Sequence, residues 1–207
     1  MKRRTVWSCA ALLLACSVHV AWAGDGVAAL QTADASCPDA SSNIYVDCGN
    51  GTVTDNRTGL VWLRDANCLN GTVSWFTAME FVAGLSDLPP APFPAASHDC
   101  GLSDGSSPGE WRLPSAEEWI AMTANAVGAP GDPNCVASPP VITNDSGSGC
   151  WVSGPSSFSG VEPEDYWSST TSVTSSSTAW ILSLLDTATG FISKTNTRYV
   201  WPVRGGQ

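Results

Sequence analysis

Positive charge and histidine are scarce in this chain. Nine lysines and arginines stand against nineteen aspartates and glutamates, with two histidines, for a formal net charge of −10. Such a surface repels a phosphate backbone, so nucleic acid is excluded as the expected partner. A polyanionic sugar is disfavoured in the same way unless the few arginines cluster. There is no C-x-x-C pair, no H-E-x-x-H and no phosphate-cradling glycine motif, which removes the commonest zinc, metalloprotease and nucleotide sites. Long apolar runs are also missing. The longest, about Val6 to Ala15, is half of the roughly 20 residues a membrane helix needs.

That short run sits in a recognisable frame. Met1-Lys2-Arg3-Arg4 is basic, the run follows, and Ala21-Trp22-Ala23 offers a small-x-small exit. Together they predict a secretory signal peptide over residues 1–23. Leu13-Leu14-Ala15-Cys16 offers a second exit, at which Cys16 would carry lipid. Export to a periplasmic or extracellular space is therefore expected, with a lipoprotein anchored at Cys16 as the alternative. Beyond residue 23 only six basic side chains remain against all nineteen acidic ones. That excess also keeps an exported protein soluble.

Six of the eight cysteines lie beyond the leader. An even count in an exported chain reads as three disulfides. Sequential pairing is favoured among the 15 connectivities that six cysteines allow: Cys37–Cys48, Cys68–Cys100 and Cys135–Cys150. The first and third would close loops rich in Gly, Pro, Ser and Asn, which cannot hold themselves by packing. Each bridge contributes about 2–4 kcal/mol.

Residues 24–44 have no hydrophobic period and read as a tether; residues 45–206 form one domain. Two β-rich runs, Gly51–Thr54 and Gly59–Trp62, flank Asp55-Asn56-Arg57-Thr58 and predict a hairpin. Ser74 to Leu85 predicts a capped helix with Trp75, Phe76, Met79, Val82 and Ala83 inward. Ser115 and Glu118 form a capping box for a second helix, with Ala116, Trp119, Ile120 and Thr123 on its apolar face. A long loop, Gly128 to Gly160, precedes a β-rich end. There Tyr166–Thr170 opens the sheet, a hairpin turns at Asp186–Gly190, and Arg198–Arg204 forms a last strand carrying Pro202. This order gives an α+β domain: a twisted antiparallel sheet, two helices on one side of it, and long disulfide-stapled loops.

Four phrases carry a resemblance. Gly51-Thr-Val-Thr-Asp55 with Thr58-Gly-Leu-Val-Trp62, then Trp111-Arg-Leu-Pro-Ser115, then Tyr166-Trp-Ser-Ser169, then Val200-Trp-Pro-Val-Arg-Gly205 follow one another in the chain. In this order they resemble the Lcl (Legionella collagen-like protein) C-terminal domain family. The resemblance implies a C-type-lectin-like fold. It also implies adhesion through sulfated glycosaminoglycans and trimeric assembly, as in the member that names the family. The chain departs from that member in having no collagen-like repeat and in its acidity, so the fold transfers and the ligand does not.

Within these phrases Trp111, Arg112, Pro114 and Arg204 read as structural, the guanidinium groups stacking on indole and pairing with carboxylates. Arg57, Arg64, Arg198 and Lys194 would make an anion site only if they converged on one face. The binding candidates are Trp151 and Trp167, as stacking platforms, with the acidic knot Glu162, Glu164 and Asp165. His98, alone in a loop beside Asp99 and Cys100, reads as solvated. No catalytic set and no resident metal or other cofactor are expected. Calcium is the one cation that the knot, or Asp99 with Asp104, would admit, and the alternating loop oxygens it prefers are absent. The sequence thus points to an exported lectin-like binding domain that contacts a glycan or an envelope component. A structural or assembly module of the envelope, homo-oligomeric or meeting a partner protein, is the alternative. A carboxylate-based hydrolase is the third reading.

Overall fold

The computed structural model describes Cys37, residues 42–87 and residues 100–205. The expected signal peptide with Cys16, most of the tether, His98 and Asp99 lie outside the described residues. The domain is α+β, with two helices, antiparallel strands and three disulfides. The bridges are Cys37–Cys48, Cys68–Cys100 and Cys135–Cys150.

The first sheet grows from the first hairpin. β1 (Tyr45–Asp47), β2 (Thr52–Asp55) and β3 (Val61–Leu63) pair antiparallel in order. Asp55 closes the turn: its side chain accepts the Arg57 N–H at 2.9 Å and its carbonyl accepts the Gly59 N–H at 2.8 Å. The last strand, β9 (Val203–Arg204), comes back from the far end of the chain to pair with β3. Gly51 turns with φ +86°, and its Cα faces the Gly101 carbonyl so closely that a Cβ would collide with it. Only glycine fits there.

β4 (Val73–Ser74) leads into α1 (Trp75–Gly84), where Ser74 accepts the Thr77 N–H at 3.2 Å as the N-cap. α1 buries Val82, with Trp75 and Met79 packed beside it as expected, and adds Ala78; Phe76 and Ala83, expected inward, are exposed. α2 (Ala116–Thr123) carries the full capping box of Ser115 and Glu118. Here Met122 is buried with Ala116, Trp119 and Thr123, whereas Ile120, expected inward, is 54% exposed.

Three strands form a second sheet: β5 (Asp165–Thr171), β6 (Thr178–Ser183) and β7 (Thr189–Ser193), in that order. The β6–β7 hairpin turns over residues 184–188, two residues earlier than expected, because the Ser183 N–H already bonds the Ala188 carbonyl at 2.9 Å. β6 reads Ala179-Trp180-Ile181-Leu182, apolar at successive positions. Such a run means burial on both faces. Ala179 and Ile181 pack with Ala78 and Val82 of α1. Trp180 and Leu182 belong to the main core with Trp119 and Met122 of α2. The helices therefore lie on opposite faces of this sheet, which corrects the expectation of helices on one side. The expected last strand is also divided. β8 (Thr197–Arg198) pairs with β4, the chain breaks at Trp201-Pro202, and only then does β9 form. Proline has no N–H to continue a ladder.

Aromatic rings make the main core. Trp62 touches Trp119 and Trp201 at 5.3 Å each, Trp201 touches Phe158 at 4.8 Å, and Phe158 touches Tyr45 at 4.9 Å. These centroid distances suit tilted and edge-to-face contact. Trp62, Trp111, Trp119, Trp167 and Trp201 are all fully buried.

Candidate functional site

The structure separates the two tryptophans proposed as stacking platforms. Trp167 is 0% exposed, and its indole N–H donates to the Val73 carbonyl at 2.9 Å. It packs with Leu113, Ala179 and Val200 between α1 and the β5–β7 sheet. The alternation of β5 sends it there, since its register partner Ile181 faces the same way. Trp167 is a core residue and offers no ring to a ligand. Trp151 is half-buried, packed against the main core just after the Cys135–Cys150 staple.

The acidic knot is also divided. Asp165 takes Arg198 in an ion pair, with Nε at 2.8 Å. Glu162 and Glu164 have no lysine or arginine in ion-pair reach among the described residues. Glu162 accepts the Asn67 side-chain N–H at 3.3 Å, and its own backbone N–H donates to the Tyr166 hydroxyl at 2.8 Å. Asp65 stands near by, its carboxylate accepting the Asn67 N–H at 3.0 Å. Gly160, with φ +63°, leaves the room that this carboxylate fills. Tyr199 lies across the Tyr166 ring at 5.5 Å. Desolvation, then the Glu162 and Glu164 carboxylates, hold the Tyr199 hydroxyl above the usual tyrosine range. Burial does the same more strongly for Tyr166.

Asp65, Asn67 and Tyr199 therefore join Glu162 and Glu164 on one partly exposed surface. Sequence reasoning missed all three. A parallel bridge between Tyr166 and Tyr199, and another between Asp65 and Ser159, bring them together from distant parts of the chain. No local pattern announces such bridges.

The basic side chains do not converge. Arg57 pairs with Asp55 at 3.5 Å, Arg64 with Asp47 at 3.7 Å, and Arg204 with Asp104 at 3.2 Å and Glu110 at 3.6 Å. Lys194, 7% exposed, sits 3.8 Å over the Trp75 ring and donates to the Thr171 hydroxyl at 2.9 Å. Arg112 binds Glu118, the Leu113 carbonyl and the Gly205 carbonyl. The anion site that Arg57, Arg64, Arg198 and Lys194 would have made is not formed. Of the family-phrase residues, Arg204 lies 5.5 Å over Trp111, and the Pro114 carbonyl accepts the Ser169 N–H at 2.8 Å.

Among the described residues no three carboxylate, histidine or cysteine side chains gather as a metal site would need. Asp104, a calcium candidate on sequence grounds, is spent on Arg204 and Ser106. The absence of a G-x-S-x-G motif, expected alongside the other missing motifs, is corrected by the sequence itself. Gly101-Leu-Ser103-Asp-Gly105 has the spacing of a hydrolase nucleophile elbow. That motif needs a strand before it and a helix after it. Here it lies in a loop, its Ser103 N–H bonded to the Asn50 carbonyl at 2.9 Å.

No curated protein matches this chain in sequence. The Lcl C-terminal domain matches it over residues 51–204, from the Gly51 turn to the last strand, so most of the folded region is accounted for. That span takes in the first three phrases, the fourth as far as Arg204, the hairpin that β9 closes and the surface around Tyr199, and the chain belongs to the Lcl C-terminal domain family.

Proposed function

We propose that this chain is an exported, lectin-like binding module with no turnover, whose ligand is a neutral, hydroxyl-rich glycan of a cell envelope or surface. The observation that carries the reading is the pairing of the basic side chains. All six described lysines and arginines are engaged by carboxylates or an indole, so a sulfated or phosphorylated ligand would meet acidity without a cation. What lies without a cation there is a set of acceptors, Glu164 with Asp65 and Glu162, whose further lone pairs stand beside Asn67 and the Tyr199 ring. Carboxylates and amides accept and donate to sugar hydroxyls, and an aromatic face takes the apolar side of a sugar ring. Three disulfides and the lack, among the described residues, of a helix able to cross a membrane are compatible with export.

A broad glycan screen of the oxidised protein, with calcium and with chelator, tests this. Selective binding is expected. Glu164→Gln and Tyr199→Ala should each weaken it by about tenfold or more, equivalent to about 1.4 kcal/mol, with the melting temperature kept. A silent screen from demonstrably folded protein would sink the reading. The second reading, an assembly module, would then stand in its place, supported by the half-exposed Phe191 on the outermost strand of the second sheet.

A further inference from the structure

The two edges of the β5–β6–β7 sheet are treated differently. The β5 edge is closed by the chain itself. The Trp167 N–H donates to Tyr199, the Tyr199 N–H to Asp165, and the Ser169 N–H to Pro114, at 3.0, 3.1 and 2.8 Å. No described residue covers the β7 edge.

The hydrogen-bond phase of β7 shows which groups that edge presents. The Ser183 N–H bonds the Ala188 carbonyl, and the Lys194 N–H bonds the Ser177 carbonyl, each at 2.9 Å. Antiparallel pairs alternate, so residues 188, 190, 192 and 194 turn their backbone groups toward β6. Thr189, Phe191 and Ser193 therefore turn theirs outward, the Ser193 carbonyl also taking the Asn196 N–H at 3.0 Å. Natural edges are blunted by charge, proline or a bulge. β7 reads Thr-Gly-Phe-Ile-Ser, and its register with β6 runs through five pairs without a shift. Phe191 is 51% exposed on it.

Charge says what fits there. The protein is strongly acidic, yet no aspartate or glutamate follows Asp186 in the sequence. The ammonium nearest in sequence, Lys194, is buried over Trp75. Two copies paired along β7 would bring no carboxylate of that strand against another. The strand is also self-complementary. With a two-fold axis at Phe191, each Phe191 N–H meets the carbonyl of the second copy's Phe191. Thr189 faces the second copy's Ser193, hydroxyl to hydroxyl.

We propose that β7 is a self-pairing edge, through which two copies of this chain join their three-stranded sheets into one continuous antiparallel sheet. The Phe191 rings lie side by side across the axis, and the faces carrying Tyr199 stay outside the joint.

Light scattering and sedimentation of the oxidised protein, from low micromolar to several hundred micromolar, test the pairing. The mass is expected to rise with concentration toward twice that of the chain. Over the same range the Thr189 and Phe191 amides should exchange more slowly. Phe191→Lys should weaken association about tenfold or more, as a charge on an edge does. Phe191→Pro should do the same with the fold kept, because it removes an N–H that points away from β6. A single-copy mass at every concentration would overturn the proposal, as would association that neither substitution weakens. An extended peptide bound at β7 of a chain that stays single-copy would assign the strand to a foreign partner, and so would also overturn it.

Discussion

The Arg112 guanidinium grips both oxygens of Glu118, at 2.7 and 2.6 Å, while the same carboxylate accepts the Ser115 N–H at 2.7 Å. One glutamate thus finishes the cap of α2 and holds the strand segment that reaches β9, where the Arg112 and Val203 backbones exchange hydrogen bonds of 2.9 Å. Lysine carries the charge without the fork. Arg112→Lys should cost about 2 kcal/mol in chemical denaturation. A loss under about 0.5 kcal/mol, the scale of an exposed pair, would show that the fork holds nothing.

Gly51 and Gly59 both turn with positive φ, and only one of them is crowded. Gly59→Ala meets open space and should cost about 1 kcal/mol, the backbone penalty alone. Gly51→Ala drives a methyl into the Gly101 backbone and should cost more than about 3 kcal/mol or prevent folding. Equal melting temperatures for the two variants would contradict the close approach.

Trp167→Ala should act on stability. Removal of a fully buried indole costs about 3–5 kcal/mol, and the lost N–H bond to Val73 adds to it. Trp151→Ala should cost less, because its ring is only half-buried. Thermal melts of the two variants order them directly. A Trp167 variant that melts like the parent would mean the ring is not core.

Asp145 gives a pH signature. Desolvation by burial raises its pKa above the ordinary 3.8, and bonds from the Ser157 N–H and hydroxyl oppose the rise. A carboxyl raised by folding favours the folded state while protonated in both states. That contribution is present below about pH 4 and is lost as pH climbs through the folded value. Asp145→Asn should therefore remove a small downward slope in stability above pH 4, seen in denaturation midpoints measured across that window. An unchanged slope in the variant would place its origin in other groups.

Local signals fixed much of this molecule. The capping box at Ser115 and Glu118, the Asp55 turn and the tryptophan-rich core are written in short stretches, because each depends on neighbours within a few residues. The failures share one cause. Trp167 looked like a platform because it follows an acidic loop, but its exposure is set by which face of β5 the strand register turns toward α1. Phe76 and Ile120 read as inward because hydrophobicity alone places them one step from the residues that the short helices bury. The Tyr199 surface escaped notice because its members meet only through two parallel bridges between distant segments. Sequence shows what a residue is made of; packing decides which side of an element it is on.

The Trp201 indole N–H donates to the Leu63 carbonyl at 2.7 Å, across 138 positions of sequence, and Val203 completes the ladder beside Trp62. A chain that emerges N-terminus first, from a ribosome or through a membrane pore, therefore cannot seal its first sheet early. The hairpin must wait with Trp62 uncovered until residues 201–204 arrive. Closure of the first sheet thus depends on the Trp201–Arg204 segment. The same dependence makes Trp201 a costly place to cut: without it the main core is left unfilled.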